Sequence, residues 1–219
     1  MELGNYLNTV TTGDCTRILR DFPNGCVDLV LTDPPYIASY RPRDGRTVTN
    51  DSQSDWLKPA FRELYRVLKP DSFCVTFYGW PMADLFVSSF REAGFRPVSH
   101  LCFVKQYASF TGYTRAQHEV AYVLAKGQPK KPEAPIADVL TWRYTGNKLH
   151  PTEKPVPVLI PLVEAFSNPG DVVLDAFCGS GSSLVAAKRL GRSFTGIEID
   201  AAHAELARNR IENLDEAAA

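Results

Sequence analysis

Hydrophobic and polar positions along the chain follow two alternating spacings. The continuous apolar run at residues 27–31 (VDLVL) is typical of a strand buried on both faces. Residues 55–68 instead place Leu57, Phe61, Leu64 and Leu68 along one face of a helix. The same two spacings predict further strands at 72–78, 98–105, 120–125, 172–175 and 193–197, and further helices at 15–21, 82–93, 155–166, 182–190 and 202–214.

Strands separated by helices of this length predict an α/β fold with an open, mostly parallel, doubly wound sheet. The 219 residues show no internal repeat and suit a single domain spanning 1–219. Two stretches interrupt the alternation: a polar loop at residues 37–55, and a Pro- and Lys-rich region at residues 127–149. A loop as long as the first is usually functional or disordered.

The composition excludes several classes of protein. Hydrophobic residues make up 44% and charged residues 22%, which is ordinary for a globular domain. The sequence lacks both a membrane-spanning apolar stretch and a secretory leader pattern, so we expect no membrane partner and a cytoplasmic location. The five cysteines form no CxxC pair, which argues against a zinc site or a disulfide framework, and we predict no metal.

Charge is unevenly distributed along the chain. The net charge is −1, yet residues 37–155 alone carry +6 while the flanking segments are acidic. The whole is less basic than a typical nucleic-acid-binding protein. A locally basic face is compatible with a polyanionic partner, and a solvated basic surface explains the same numbers equally well.

A glycine-rich turn connects a predicted strand to a helix within residues 172–200. The strand ends at Asp175, Gly179 and Gly181 follow, the helix begins near Ser182, and the next strand ends at Glu198. Glycines allow close approach of a ligand, the helix start offers free N–H groups, and an acid after the second strand suits ribose hydroxyls. This pattern predicts a nucleoside-containing cofactor, although Leu184 stands where a dinucleotide motif has its third glycine.

Residues Asp33, Pro34, Pro35 and Tyr36 follow the strand at 27–31 directly. The two prolines stiffen the backbone and leave carbonyl oxygens as acceptors. A carboxylate and a carbonyl held side by side can accept both hydrogens of an exocyclic amino group, and the tyrosine offers a face for stacking a base. A merely rigid turn is the alternative, but ligands of open α/β sheets bind where the strands end.

These motifs together resemble the S-adenosylmethionine-dependent amino-methyltransferases of DNA in their beta arrangement, in which the catalytic DPPY precedes the cofactor motif FxGxG. Here Asp33–Tyr36 precedes Phe177–Gly181. Residues 12–15 (TGDC) resemble the family's segment before DPPY, and residues 150–155 (HPTEKP) match its HPTxKP motif. The resemblance covers nearly the whole chain.

The resemblance implies a Rossmann-like methyltransferase fold, S-adenosyl-L-methionine as cofactor and catalysis by Asp33, Pro34, Pro35 and Tyr36. It implies contacts of Asp14 with the cofactor adenine, of Glu198 with the ribose and of Lys154 with the methionine carboxylate. The full expected cofactor set is Asp14, Cys15, Asp33, His150, Thr152, Lys154, Asp175, Phe177, Cys178, Gly179, Gly181, Ser182 and Glu198.

Within the family, DPPY tends to accompany adenine N6, so we expect a site-specific DNA methyltransferase that acts on a flipped-out adenine of double-stranded DNA. Methylation of cytosine N4 or of RNA is the alternative. A protein-glutamine methyltransferase is disfavoured because such enzymes have NPPY after the cofactor motif. A non-enzymatic binding module is disfavoured because Asp33 and the glycines are present.

Two groups of basic residues are candidates for DNA contact. The first lies in the loop at residues 37–55 and the second in the region at residues 127–149, where the family commonly reads its target sequence. They are Arg41, Arg43, Arg46, Lys130, Lys131, Arg143 and Lys148. The second region is short, so we expect help from the loop or from a second copy in a homodimer, and a nucleoid-associated location. His118-Glu119 is not a zinc motif because Tyr122 replaces the second histidine, and we expect a structural or substrate-side role for it.

Overall fold

The computed structural model of this chain describes residues 3–37, 53–110, 113–142 and 154–216. The strands in these residues are β1 (Thr9–Thr12), β2 (Val27–Thr32), β3 (Leu68–Phe77), β4 (Arg96–Phe110), β5 (Arg115–Lys126), β6 (Val139–Trp142), β7 (Val172–Asp175) and β8 (Ser193–Glu198). The helices are α1 (Cys15–Ile18), α2 (Leu57–Val67), α3 (Ala83–Ala93), α4 (Val156–Phe166), α5 (Ser182–Arg189) and α6 (Ala201–Glu216). Short 3-10 helices lie at Leu3–Tyr6, Leu19–Asp21 and Trp80–Met82.

The strands form one eight-stranded sheet in the order β1-β8-β7-β2-β3-β5-β4-β6. Neighbouring strands are parallel except at the β3–β5 and β5–β4 pairs, which are antiparallel. The sheet is therefore open and mostly parallel, which confirms the predicted fold class.

Helices cover both faces of the sheet. The core on one face includes Leu162 of α4 and Leu184 of α5. The core on the other face includes Phe61 of α2 and Phe90 of α3, both fully buried. The apolar residues of β2 divide between the two cores, because successive side chains of a strand point to opposite faces. The doubly wound arrangement follows from this two-sided burial.

Several element bounds differ from the sequence predictions. The sequence pattern did not predict β1 or β6, which are four-residue edge strands with one buried residue each, Val10 and Trp142. Helix α2 passes into β3 without a loop, so Leu68 begins a strand rather than ending a helix. Pro155 is the extended residue before α4 and does not lie in its first turn.

The antiparallel pair β4 and β5 is longer than predicted at the end where the two strands join. β4 continues to Phe110 and β5 begins at Arg115, whereas the pattern predicted strands that end at residue 105 and begin at residue 120. The added residues are largely exposed, so no apolar periodicity marks them.

The carboxyl ends of β1, β8, β7, β2 and β3 lie along one edge of the sheet, here called the carboxyl edge, and β4 and β6 end on the same side. Among the helices that the structure describes, none is both long and apolar enough to cross a membrane. The described residues also contain no group of three or more His, Cys, Asp or Glu that could hold a metal ion.

Candidate active site at the carboxyl edge

Asp33–Tyr36 leaves the end of β2 at the carboxyl edge, next to the end of β3. Tyr36 packs directly on the backbone of Gly79, because a Cβ on Gly79 would lie 2.7 Å from Tyr36 Cβ and 2.8 Å from the Tyr36 carbonyl oxygen. Only glycine fits at this contact, since real side chains essentially never approach so closely. The segment after β3 therefore fixes the position of Tyr36.

Lys154, just before α4, reaches across the edge to Asp33. Its ammonium donates a hydrogen bond to Asp33 Oδ2 and forms an ion pair with it, with 7% of the lysine side chain exposed. The Lys154 nitrogen also lies 5.0 Å from the ring centre of Phe77 and 5.2 Å from that of Tyr36. Lys154 thus belongs to the same cluster as the DPPY segment, whereas the sequence assigned it to the methionine carboxylate of a cofactor.

A second carboxylate completes the cluster. The Tyr36 hydroxyl donates to Glu119 Oε2 at 3.2 Å, and Lys105 donates to Glu119 Oε1. Trp142, buried at the end of β6, lies near both lysines, with its ring centre 5.5 Å from the Lys105 nitrogen and 5.9 Å from that of Lys154. Two partly buried carboxylates, two lysines and three aromatic rings therefore form one network.

The charges of this network oppose the effect of burial on its acids. Burial raises the pKa of Asp33, and the adjacent Lys154 acts in the opposite direction. Burial also disfavours the charged form of Glu119, but the positive charges of Lys154 and Lys105 outweigh it, and the pKa of Glu119 is lowered. Lys105 and Lys154 therefore both favour the ionised form of the carboxylate beside them.

Two polar atoms of the cluster lack hydrogen-bond partners. Among the described residues, Asp33 Oδ1 and Trp142 Nε1 are buried side-chain atoms without one, as is Thr195 Oγ1 in the core of β8. Buried polar groups in native proteins are nearly always paired, so each orphan needs an explanation. An acceptor and a donor that lie unsatisfied around Lys154 are the groups that a ligand with one donor and one acceptor would satisfy.

The buried carboxylate of Asp175 holds the glycine-rich turn between β7 and α5 through hydrogen bonds. Its Oδ1 accepts from the Thr32 hydroxyl at 2.7 Å and from the Phe177 N–H at 3.0 Å, and its Oδ2 accepts from the Ser183 hydroxyl. Burial raises the pKa of Asp175 to about 6. With 4% of the residue exposed, Asp175 supports the turn from inside the protein.

Glu198, at the end of β8, contacts the same turn. Its carboxylate accepts from the N–H of Gly179 at 2.8 Å and from the N–H of Asp200 at 2.9 Å. Gly181, immediately before α5, has φ of +79°, and a Cβ there would lie 3.0 Å from Ala207 Cβ. The turn thus brings an acid, a glycine-lined backbone and a helix start together, as the sequence predicted.

The other expected cofactor residues of this region have protein partners. Ser182 accepts a hydrogen bond from Arg210 at 2.9 Å, so its hydroxyl faces α6. Cys178 is buried, and its N–H donates to the Ile197 carbonyl at 3.0 Å. Phe177 packs against Trp56, with ring centres 5.1 Å apart.

Asp14 and Cys15 lie after β1, next to the end of β8. Asp14 accepts a hydrogen bond from the N–H of Thr16 at 2.8 Å and so caps the start of α1. Cys15, the first residue of α1, is buried. Burial raises the pKa of the Cys15 thiol, which therefore stays protonated. Asp14 is close to Glu198, since the Gly13 N–H donates to the Glu198 carbonyl at 2.8 Å.

Several predicted site residues are not at the carboxyl edge or are not described. Lys130 and Lys131 follow the end of β5, which pairs with the start of β3 at the opposite edge, and Lys130 pairs with Glu133 at 3.2 Å. The structure does not bring these two lysines to Asp33. The remaining predicted residues, His150, Thr152, Arg41, Arg43, Arg46, Arg143 and Lys148, lie outside the described residues.

Sequence reasoning missed two members of the cluster, Lys105 and Trp142. No pattern in the sequence marks these two residues, because their positions depend on the pairing of β4 with β6, which joins Lys105 to Trp142. Glu119, for which the sequence predicted a structural or substrate-side role, accepts a hydrogen bond from Tyr36.

Comparison with known proteins identifies relatives along most of the chain. The family model for N6/N4 DNA methylases matches residues 27–209. YubD of Escherichia coli (strain K12) is 51% identical over 187 residues, covering 85% of this chain and 82% of YubD. The DNA adenine methyltransferase YhdJ of the same organism is 29% identical, covering 96% of this chain and 85% of YhdJ. TTHA0409 of Thermus thermophilus, solved with S-adenosyl-L-methionine, is 25% identical with a TM-score of 0.75, covering 94% of this chain and 93% of that one.

Proposed function

This chain belongs to the N6/N4 DNA methylase family, and on that basis we propose that it transfers the methyl group of S-adenosylmethionine to the exocyclic N6 of adenine in duplex DNA. The observation that supports this most directly is the environment of Asp33. One carboxylate oxygen is held by Lys154, and the other is buried without a partner among the described residues. An ionised carboxylate with one free acceptor suits an amino group as its ligand.

The residues around the β7–α5 turn fit the cofactor. The Glu198 carboxylate keeps acceptor capacity for ribose hydroxyls beyond its two backbone contacts. Gly179 and Gly181 have positive φ angles, which glycine adopts at no steric cost, and the start of α5 suits an anionic group. The relative TTHA0409 was solved with this cofactor bound. When bound, S-adenosylmethionine supplies a methyl group that is already activated by its sulfonium.

The protein's part in the reaction is then to position and polarise the amino group. Asp33 Oδ1 and the Pro34 carbonyl accept its two N–H bonds and hold the nitrogen in place. These contacts favour a tetrahedral nitrogen, whose lone pair is no longer delocalised into the ring. The carboxylate also stabilises the positive charge that develops on the nitrogen, an electrostatic effect worth about 3 kcal/mol. The nitrogen keeps both protons until it has bonded the methyl group and then releases one to solvent, so no base is needed before attack.

Tyr36 provides the stacking surface for a base taken out of the duplex. Its orientation is fixed twice, by the Gly79 backbone beneath it and by the hydrogen bond from its hydroxyl to Glu119. Trp142 Nε1 adds an unpaired donor to the unpaired Asp33 acceptor. An amino group next to a ring nitrogen offers the complementary donor and acceptor on one edge of a base.

Two observations support adenine as the proposed target base. The DPPY motif resembles that of adenine-specific members, and YhdJ, which is similar over 96% of this chain, is named a DNA adenine methyltransferase. Cytosine N4 is the second candidate, because its amino group also lies beside a ring nitrogen and the family includes both activities. Location on the nucleoid in the cytoplasm and homodimerisation stay predictions.

Nucleoside analysis tests this proposal. The purified protein is incubated with labelled S-adenosylmethionine and either duplex DNA or RNA of matched composition, and the digested products are separated by mass. We expect N6-methyldeoxyadenosine in the reaction with DNA and no methylated nucleoside in the reaction with RNA. N4-methyldeoxycytidine would contradict the adenine assignment, and methylated nucleosides from RNA alone would contradict the DNA substrate.

A further inference from the structure

Beyond the sheet, β4 and β5 continue as a two-stranded ribbon. The pairing of β5 with β3 ends at Ala121, and the pairing of β4 with β6 ends at Lys105. We call residues 106–110 and 113–120 the β4–β5 ribbon. In these residues the two strands pair only with each other, so both ribbon edges lack a neighbouring strand in the part of the chain that the structure describes. The ribbon leaves from the carboxyl edge, the same edge that holds Asp33.

Among the described side chains of the ribbon, Val120 belongs to one core and Tyr107 packs against the other, and the rest add little to either. Six residues of β5 lie beyond Ala121, which corresponds to about 20 Å of strand. Three of these six side chains, those of Arg115, Gln117 and His118, are exposed, and Tyr113 near the tip is 99% exposed. Isolated two-stranded ribbons are marginally stable, and free strand edges invite unwanted pairing. A ribbon of this length at a site edge therefore calls for a partner that covers it.

The root of the ribbon is shaped by a bulge. Between the pairs Val104–His118 and Ser109–Ala116, β4 has four intervening residues and β5 has one. The bulge contains Lys105, which forms the ion pair with Glu119 beside Tyr36. Bulges beside active sites re-aim side chains, and this one ties the ribbon to the DPPY cluster.

The exposed surface of the ribbon suits nucleic acid. Its exposed polar side chains include Gln106, Arg115, Gln117 and His118. Its one acid, Glu119, faces inward to Lys105 and Tyr36, so the outer surface carries no negative side chain. Arginine and glutamine are the side chains that bind guanine and adenine edges with paired hydrogen bonds.

We propose that the β4–β5 ribbon enters the major groove of the substrate duplex and reads base edges next to the flipped base. The major groove, about 12 Å wide, admits a two-stranded ribbon. The proposal rests on DNA being the substrate. It assigns target reading to a part of the chain other than the region at residues 127–149, whose Lys130 and Lys131 start from the opposite edge.

The test compares DNA binding by the wild type and by the Arg115→Ala/Gln117→Ala double variant. The recognition sequence is first read from the modified sites that the wild type leaves in plasmid DNA. Affinities for target and non-target duplexes are then measured. We expect target affinity to fall by about tenfold or more, and non-target affinity to fall much less. Arg91→Ala, which removes an exposed arginine from the last turn of α3, is the control and should bind like the wild type.

Unchanged affinities, or equal losses on target and non-target duplexes, would overturn the proposal. Amide hydrogen exchange of the wild type gives a second readout that needs no variant. Duplex binding should slow exchange in the ribbon, whereas cofactor alone should not, and absence of ribbon protection on DNA would also overturn it. Methyl transfer by the wild type is recorded in the same series. If the wild type methylates DNA and the ribbon proves uninvolved, only the ribbon inference fails, whereas absence of transfer contradicts the proposed function.

Discussion

Asp33 presents two carboxylate oxygens with different surroundings. Oδ2 receives the Lys154 ammonium, while Oδ1 is buried and unpaired among the described residues. Charged and titratable groups that bear on Asp33 come from several elements: Lys154 before α4, Glu119 on β5, and Tyr36 on its own segment. Lys154 is the positive member of this set and opposes the rise in pKa that burial causes. Its position beside the carboxylate favours the ionised form, which is the form that accepts hydrogen bonds from an amino group.

Removing that charge should change the pH dependence of methyl transfer. Asp33 acts ionised, so the rate is lost as pH falls through its pKa. In Lys154→Met that pKa rises, and the loss of rate should occur at higher pH than in the wild type. The measurement is the single-turnover rate across pH 5–9. Lys154→Arg keeps the charge and should keep the acid limb close to that of the wild type. If the rate of the Met variant fell at the same pH as that of the wild type, the effect of Lys154 on Asp33 would be contradicted.

At the scale of elements, the β7–α5 turn lies between two acids with different tasks. Asp175 accepts hydrogen bonds from two hydroxyls and one backbone N–H, whereas Glu198 accepts from two backbone N–H groups. Both acids end adjacent parallel strands, so the sequence pattern alone treats them alike. Their hydrogen-bond partners differ, and two predictions follow from that difference.

Asp175→Asn should alter stability in a pH-dependent way. The pKa of Asp175 is raised to about 6, above the value of about 3.9 for an unfolded chain. The stabilising contribution is therefore complete below pH 4 and is lost as pH rises through 6, by up to about 3 kcal/mol. Urea unfolding at pH 4 to 7 should show the variant gaining stability relative to the wild type as pH rises. Asp55→Asn, at an exposed position, is the control. Its free energy of unfolding should differ from that of the wild type by the same amount at every pH.

Glu198→Ala should weaken binding of S-adenosylmethionine by about 1–3 kcal/mol, because a charged hydrogen-bonding group is removed. Calorimetric titration gives the dissociation constant directly. Because Glu198 also holds Gly179, the melting temperature of the free variant is measured in parallel. An unchanged dissociation constant would be incompatible with the ribose assignment.

Sequence periodicity predicted the central elements of the fold well. β7 lies at its predicted bounds, and the apolar stripe of α2 packs as expected, because burial in the core imposes the spacing. Edge strands escaped prediction, since β1 and β6 each bury one residue. The ribbon extension escaped for the same reason.

The candidate site was predictable where a motif stands directly after a strand, as for Asp33 and Glu198. The pairing of Lys154 with Asp33, 121 residues apart, was not, because only the assembled sheet brings them together. Glu119 and Trp142 belong to the same class. Local sequence specifies which strand end bears a group, and strand order decides which groups meet.

At the scale of the whole molecule, the excess of positive charge lies in the middle of the chain. Residues 37–155 carry +6 in a protein of net charge −1, and Arg41, Arg43 and Arg46 follow the DPPY segment closely. Phosphate contacts add affinity with little sequence information. This is a different task from the base reading inferred for the β4–β5 ribbon.

Replacing Arg41, Arg43 and Arg46 with alanine should therefore weaken binding to target and non-target duplexes alike. The slope of log affinity against log salt concentration should become shallower by up to about 0.9 for each phosphate that the variant no longer neutralises. Binding of S-adenosylmethionine should not change. Salt titrations of the triple variant and the wild type measure this, and identical slopes would mean that the loop makes no phosphate contacts.

The most direct test of the account concerns Asp33 itself. Asp33→Ala removes the acceptor for the amino group and leaves Glu198 and the β7–α5 turn in place. Single-turnover methyl transfer to duplex DNA is measured together with the dissociation constant of S-adenosylmethionine. Methyl transfer should fall by at least about 10²–10³-fold, as for loss of a main electrostatic contact, while cofactor affinity stays within about twofold. Transfer at a rate near that of the wild type would contradict the central role of this carboxylate.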